Sequence, residues 1–270
     1  MKWFVGLNTQ APQYQYYLEM VQVALWTCRQ YTPLEPVLLL DGEAGGFSSW
    51  FRQMGGQVIQ TESRLKSDLL RLSRETGNSG AAEFGPGVYL RLEIPRIMRE
   101  QGWKEPYAIY TDCDIVFQQA FRLEDLPGFN CPIAVGPEGD PADVRQWNSG
   151  FMVLNLNRFE EVENELIAFM RKDLPDAILH DWDQYSLKRF FEDPESVCSL
   201  DSVWNWKPYW GVNDKAKVVH FHGPKPFVRQ ILDTDLVPPV YLPFVKNGFE
   251  AYSSRWDSYL SELRKSTATK

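Results

Sequence analysis

Apolar positions change their spacing several times along the chain, and each change marks an element. Residues 3–7 form a short apolar run of strand length. After Pro12, Tyr14, Tyr17, Leu18, Val21, Leu25 and Cys28 recur every three or four positions, which predicts a helix with one buried face. Residues 37–40 are a second apolar run, closed by Asp41-Gly42. Residues 47–54 then read as a helix, Gly55-Gly56 as its stop, and 57–60 as another strand. A further helix is expected over 88–100, with Leu90, Ile94, Ile97 and Met98 on one face despite Pro95, followed by a strand at 107–111. Strands alternating with helices imply a parallel sheet, so the fold class is α/β.

Between these elements, residues 76–87 hold four glycines and a proline, which predicts a mobile connection, either a plain linker or a lid over a ligand. Past Phe117 the apolar runs shorten to 132–135 and 151–156, interleaved with helices at 158–172 and 181–191, as in a mixed extension of the sheet. After Gln230 come Val237-Pro238-Pro239-Val240 and a last helix over 252–264, with Trp256, Leu260 and Leu263 spaced to pack. No internal repeat is evident. With 270 residues the chain fits one domain, 1–230, divided at 117/118, with 231–270 as an extension packed on it.

Composition narrows the function classes. A formal charge of −8 disfavours nucleic acid and anionic membrane as partners, so an anionic ligand would need locally placed cations or a metal. Ten Trp and twelve Tyr serve either the core or the stacking of sugars or bases. Cys28, Cys113, Cys131 and Cys198 lie far apart without a C-x-x-C pair, which signals neither a zinc site nor a disulfide framework and fits reduced thiols in the cytoplasm. The N-terminus turns polar at once, unlike a signal peptide, and no run approaches membrane-spanning length. A peripheral contact through the last helix is a minor alternative.

The strongest chemical signal is Asp112-Cys113-Asp114 at the end of an apolar strand. Two carboxylates alternating on an extended chain point the same way and repel unless a cation lies between them, which suits a hard divalent metal; the competing reading is a capped turn. A second signal is Val218-Val219-His220-Phe221-His222-Gly223-Pro224-Lys225-Pro226-Phe227. Imidazole can join carboxylates around manganese, and Lys225 offers a point charge to phosphate. Between them, Trp147-Asn148-Ser149-Gly150 opens onto a strand, where Asn148 is either a turn former or a partner for sugar hydroxyls. His180-Asp181-Trp182-Asp183-Gln184 begins a helix, with Asp181 or Asp183 as a candidate N-cap. Asn8, Thr9 and Asp41, at strand ends, are either turn residues or lining of the crevice where open α/β sheets bind ligands.

The order Arg91, Asp112-x-Asp114, Asn148-x-Gly150, Asp183-Gln184 and His220-x-x-Gly223-Pro224-Lys225-Pro226 resembles glycosyltransferase family 8, over roughly residues 1–230. The resemblance implies a GT-A fold, a Rossmann-like mixed sheet flanked by helices, and transfer of a hexose from a nucleotide diphosphate sugar, by analogy a UDP-sugar, with retention. It also implies residue roles. Asp112, Asp114 and His220 would hold Mn²⁺ or Mg²⁺, with His222 as an alternative ligand. Gly6, Leu7, Asn8 and Thr9 would bind base and ribose, and Arg91, Asp112, Gly223 and Lys225 would complete the donor site. Asn148, Asp183 and Gln184 would face the donor sugar, Gln184 nearest the anomeric carbon. Three departures stand out. Tyr185 replaces the family's second Asp after Gln, the spacer before Lys225 is missing, and Phe227 replaces Trp.

The rivals are a haloacid-dehalogenase-like phosphatase, because Asp112-Cys113-Asp114-Ile115-Val116 fits D-x-D-x-[TV], and a non-catalytic nucleotide-sugar binder. The phosphatase motif belongs after the first strand of its domain, and here more than a hundred residues precede it. The acceptor, beyond being a carbohydrate or another hydroxyl compound, is not legible, and 204–210 serve either as a sugar-stacking wall or as core.

Overall fold

The computed structural model describes residues 1–12, 14–126, 128–231, 237 and 239–268. Its elements run, in chain order, β1 (Lys2–Asn8), α1 (Tyr14–Tyr31), β2 (Glu35–Asp41), α2 (Gly45–Gln53), β3 (Gln57–Gln60), α3 (Lys66–Thr76), α4 (Ser79–Glu83), α5 (Gly85–Val88), α6 (Ile94–Glu100), β4 (Tyr107–Thr111) and β5 (Ile115–Phe117). The second half continues with β6 (Ile133–Pro137), β7 (Trp147–Asn155), α7 (Leu156–Ala177), α8 (Trp182–Phe190), β8 (Val197–Ser199), β9 (Val218–His220) and α9 (Phe249–Ala268).

The main sheet has the order β3-β2-β1-β4-β7-β6-β8. β1, β2, β3 and β4 are mutually parallel, and β7 runs against both β4 and β6. The expected parallel half and mixed extension are both present, in an α/β sheet flanked by helices. Strand periodicity sends alternate side chains to opposite faces. Phe4, Val37, Leu39, Ala108 and Tyr110 enter one core, beside α6 and α7. Trp3, Val5, Leu38, Leu40 and Ile109 enter the other, against α1 and α2. From β1 the chain builds outward to β2 on one side and to β4 on the other, so a crevice opens at their carboxyl ends, where such sheets bind ligands.

Three expectations change. The glycine-rich stretch 76–87 is no plain linker: it folds into α4 and α5, and the Asn8 side chain donates from Nδ2 to the Glu83 carbonyl at 2.8 Å. Asp112 and Asp114 are not on an extended strand. They occupy the turn between β4, in the main sheet, and β5, which pairs with β9 in a second two-stranded sheet.

The third change concerns the thiols. Cys131 and Cys198 are disulfide-bonded across 67 positions, with Cα atoms 5.7 Å apart, while Cys28 and Cys113 are free. Parallel pairing of β6 with β8 sets Cys198 opposite Ala134, close to Cys131, a neighbourhood that cysteine spacing cannot reveal. The expected cytoplasmic location rested on reduced thiols, and this bond removes that ground.

α9 lays Phe249, Tyr252, Trp256 and Leu260 against Met20 and Val23 of α1 and against Val219 and Phe221. No described helix is long and apolar enough to cross a membrane. Of the Val-Pro-Pro-Val stretch, Pro238 lies outside the described residues, as do 232–236.

Candidate active site

The β4–β5 turn and the end of β9 meet because β5 pairs with β9, setting Ile115 opposite His220. His220 Nε2 thereby comes to 3.3 Å from Asp114 Oδ1 and 3.7 Å from Asp112 Oδ2. One donor atom from each of the three residues lies within 4.8 Å of the others.

The triad's surroundings are compatible with a cation. His220 Nδ1 is 3.0 Å from Asn205 Oδ1, which can accept the Nδ1 hydrogen and leave Nε2 as the ligand atom. Asp114 Oδ1 is buried without a hydrogen-bond partner. Two hard oxygens and one imidazole nitrogen suit a divalent ion, and an orphaned carboxylate oxygen is what such an ion would satisfy. Burial works against the charge on Asp114, yet the Lys225 ammonium outweighs it and holds the carboxyl well below the usual range. Lys225 pairs with the other oxygen of Asp114; burial opposes its charge, but Asp114 carries its pKa above the ordinary lysine value.

A cavity of about 310 Å³ opens over this centre. Its floor is Arg91, only 4% exposed, whose guanidinium reaches in three directions. Nη2 donates to Asp112 Oδ1 at 2.8 Å, Nη1 donates to the Ser149 carbonyl at 3.0 Å, and Nε lies 3.0 Å from Asp183 Oδ2. The Nε hydrogen itself points to the Val88 carbonyl, so Asp183 Oδ2 feels the charge without a hydrogen bond. Burial, reinforced by Asp112 and opposed by Arg91, pushes the Asp183 carboxyl up to about 7.

Asn148 and Gln184 form the side wall. Asn148 Nδ2 donates to Gln184 Oε1 at 2.8 Å, and Asn148 Oδ1 accepts from Gly150 N and Asn205 Nδ2, both at 3.0 Å. Trp182 and Phe84, in edge contact with centroids 5.4 Å apart, close the end beside Asp183.

The structure thus gathers most of the residues singled out in the sequence. Gly6, Leu7, Asn8, Arg91, Asp112, Asp114, Asn148, Asp183, Gln184, His222 and Lys225 line the cavity, and His220 lies just beneath. Others fall outside. Thr9 is not a lining residue: its amide donates to the Asp41 carbonyl at 3.0 Å and its side chain packs on Gly42. Asp41 is paired with Lys66 Nζ at 2.6 Å. Gly223 turns the chain at φ +86° without facing the cavity. Asp181 stands at the N-cap position of α8 without a capping hydrogen bond and faces the cavity instead. His222 is not part of the Asp112, Asp114 and His220 cluster; its Nδ1 lies 3.1 Å from the Tyr209 hydroxyl and its Nε2 3.5 Å from Glu138. The tryptophans of 204–210 line no part of the cavity, and Trp204 is core.

Sequence reasoning missed Asn205, Lys207 and Glu138. Lys207 is fully buried, donates at 2.8 Å to the carbonyls of Pro137 and Asn205, and has its pKa driven well below the lysine range by burial. Glu138 accepts from Gln184 Nε2 at 2.8 Å and from Lys188 Nζ at 2.5 Å. No motif marks these three; a polar residue inside the aromatic stretch 204–210 was the one available hint.

The Glycosyl transferase family 8 model matches residues 129–227, which include β6, β7, α8 and His220. No curated relative matches the chain in sequence. Among solved structures, the chain is similar to the glycosyltransferase GlyE of Streptococcus pneumoniae, at 18% identity and TM-score 0.60, covering 98% of this chain and 64% of that one. It is also similar to the galactosyltransferase LgtC in complex with donor and acceptor sugar analogues, at 14% identity and TM-score 0.59, covering 89% of this chain and 99% of that one. Mouse xyloside xylosyltransferase 1 follows, at 16% identity and TM-score 0.57, covering 82% of this chain and 97% of that one. The chain therefore spans slightly under two thirds of GlyE and nearly all of LgtC, and the fold common to them is the GT-A fold.

Proposed function

We propose that this chain, a glycosyltransferase with the GT-A fold and a family 8 segment, transfers a hexose from a nucleotide diphosphate sugar to a hydroxyl acceptor, with a divalent cation at Asp112, Asp114 and His220. The observation that carries the reading is the convergence of these three ligand atoms, with Asp114 Oδ1 unpartnered, beside a cavity whose two cations are Arg91 and Lys225. Because Asp112, Asp114, Asp181 and Asp183 also line the cavity, it is the divalent cation, added to Arg91 and Lys225, that would make the cavity favourable to an anionic diphosphate. The LgtC complex, which holds donor and acceptor sugar analogues, supports the same use of the fold.

When bound, Mn²⁺ or Mg²⁺ would supply Lewis-acid stabilisation of the negative charge on the departing nucleotide diphosphate. The remaining work falls to the chain. Lys225 keeps its proton and can turn its ammonium from Asp114 towards a phosphate oxygen. Gly6, Leu7 and Asn8, at the carboxyl end of β1, form the wall for base and ribose. Arg91, locked by three oxygens, and Asn148, Asp183 and Gln184 would bind the hydroxyls of the donor sugar. The cavity of about 310 Å³ is of the size that small-molecule sites take.

Retention of configuration rests on the family resemblance; given retention, the ion pair of Asp183 with Arg91 favours attack from the face the leaving group departs over a covalent glycosyl-enzyme. UDP as the nucleotide rests on the family resemblance. The phosphatase alternative finds no support in the sheet, because the acids follow the fourth strand in chain order.

A panel of UDP-, GDP- and CDP-sugars, with and without Mn²⁺, tests the reading through nucleotide release and thermal shift. The expected result is metal-dependent release from one donor, lost in Asp114→Ala with the fold intact. Donor binding without release would instead favour a non-catalytic nucleotide-sugar binder, and undiminished release by Asp114→Ala would remove the metal assignment.

A further inference from the structure

The amide of Gln184 is fixed in orientation from two sides. On one side the backbone N–H of Ser149 donates to Oε1 at 2.9 Å, alongside Asn148 Nδ2 at 2.8 Å. A backbone N–H can only donate, so the atom facing it must be the carbonyl oxygen. On the other side Glu138 Oε1 lies 2.8 Å from Nε2. A carboxylate can only accept, so the atom facing it must be the amino nitrogen. Flipping the amide would set oxygen against oxygen at Glu138 and N–H against N–H at Ser149.

Glu138 is itself held. Its Oε2 accepts from Lys188, one turn along α8 from Gln184, so a single carboxylate clamps two residues on one face of that helix. Its carbonyl accepts from the Tyr209 hydroxyl at 2.9 Å, and its amide donates to the Gln146 carbonyl at 2.7 Å. Gln184 Oε1 already accepts from two nitrogens, with the Ser149 hydroxyl as a third, weaker neighbour at 3.4 Å. Nε2 uses one hydrogen on Glu138, and the described residues offer the other no acceptor. Gln184 lines the cavity.

We propose that Glu138 is a positioning residue that turns the Gln184 amide so that an N–H, and not the carbonyl oxygen, faces the donor sugar. Gln184 then serves as a hydrogen-bond donor to the ligand, to a sugar or acceptor oxygen, while its Oε1 is engaged by Asn148 and Ser149. The ligand's identity rests on the glycosyltransferase reading; the orientation does not.

Two measurements test it. In side-chain amide ¹⁵N NMR, with the Gln184 pair assigned by its loss in Gln184→Glu, the hydrogen on Glu138 should lie downfield and exchange slowly, and this signature should vanish in Glu138→Leu. Averaged, fast-exchanging Gln184 hydrogens in the unsubstituted protein would overturn the proposal. In steady-state kinetics, Glu138→Leu should lower kcat about tenfold or more with donor KM within about twofold, while Glu138→Gln, which keeps an acceptor oxygen, should recover most of the loss. Unchanged kcat in Glu138→Leu, or equal losses in both variants, would overturn it. Should Glu138→Leu not fold, a double-mutant cycle replaces it. Gln184→Glu should cost about tenfold less in the Glu138→Gln background than alone, where it sets two carboxylates face to face, and additive losses would refute the coupling. If no nucleotide sugar turns over in the unsubstituted protein, the functional reading fails, and the NMR result alone decides the orientation.

Discussion

Gly150 lies directly beneath the His220 ring: a Cβ at this position would overlap the imidazole Cε1 and come within 2.6 Å of Nδ1. The glycine is thus required by the ring of His220, the proposed metal ligand, and not by a turn. Gly150→Ala should displace the imidazole and weaken Mn²⁺ binding about tenfold or more, with a stability loss of about 1–3 kcal/mol from overpacking. Calorimetric titration with Mn²⁺ beside a denaturant melt checks this, and unchanged affinity would mean that the ring is not where the ligand role needs it.

Asn205 acts on the same ring from the other nitrogen. With its Oδ1 3.0 Å from His220 Nδ1, Asn205→Ala should release the tautomer and reduce metal affinity about 10–100-fold. Asn205→Asp, which keeps an accepting oxygen, should lose less. Titration of the three proteins with Mn²⁺ decides, and equal affinities would show that the contact does not tune the ligand.

Asp183 gives the site a pH signature. Its carboxyl, pushed by burial from the usual 3.8 to about 7, binds its proton more tightly in the folded chain than in the unfolded one. Its contribution to stability is therefore complete below pH 3.8 and is lost as the pH rises through about 7. The stability of the unsubstituted protein relative to Asp183→Asn should fall across that window and level off above it. Paired denaturant melts from pH 4 to pH 8 measure this, and a difference that rises with pH would contradict the assignment.

Trp182 has φ +53°, a left-handed conformation that costs a side chain with a Cβ about 1–2 kcal/mol. Its indole meets Phe84 and stands over Gly80 and Gly85, where an added Cβ would approach it to 3.5 and 3.3 Å. Both Trp182→Ala and Trp182→Gly lose this packing, but only glycine relieves the backbone. Trp182→Gly should be the more stable of the two by about 1 kcal/mol, reversing the usual order inside a helix. Equal stabilities, or the ordinary order, would refute the strain.

The Cys131–Cys198 bond closes 67 residues of chain. Replacing both cysteines by serine should reduce stability by about 2–4 kcal/mol, chiefly through a less constrained unfolded state. Dithiothreitol should destabilise the unsubstituted protein by a similar amount and leave the double variant unmoved, as denaturant midpoints would show.

Much of the site was readable because its parts are local. Asp112-x-Asp114, Asn148-x-Gly150, Asp183-Gln184 and the His220 to Lys225 segment each keep their chemistry within a few residues, and their order along the chain matched a known pattern. Asn205, Lys207 and Glu138 escaped because each acts on a residue far away in sequence: Glu138 on Gln184, Asn205 on His220, Lys207 on Pro137. The disulfide escaped for the same reason, since only the β6–β8 pairing makes Cys131 and Cys198 neighbours.

The alternation of strand and helix periods was enough to determine an α/β sheet with a parallel first half, because burial on two faces leaves a period in the chain itself. Which carboxylate oxygens face the imidazole, which way the Gln184 amide turns, and that 76–87 is a folded wall were decided by tertiary structure. These depend on β5 pairing with β9 and on Glu138 reaching α8. Periodicity records how strongly a residue is buried, whereas ligand geometry and hydrogen-bond direction depend on which distant segment buries it.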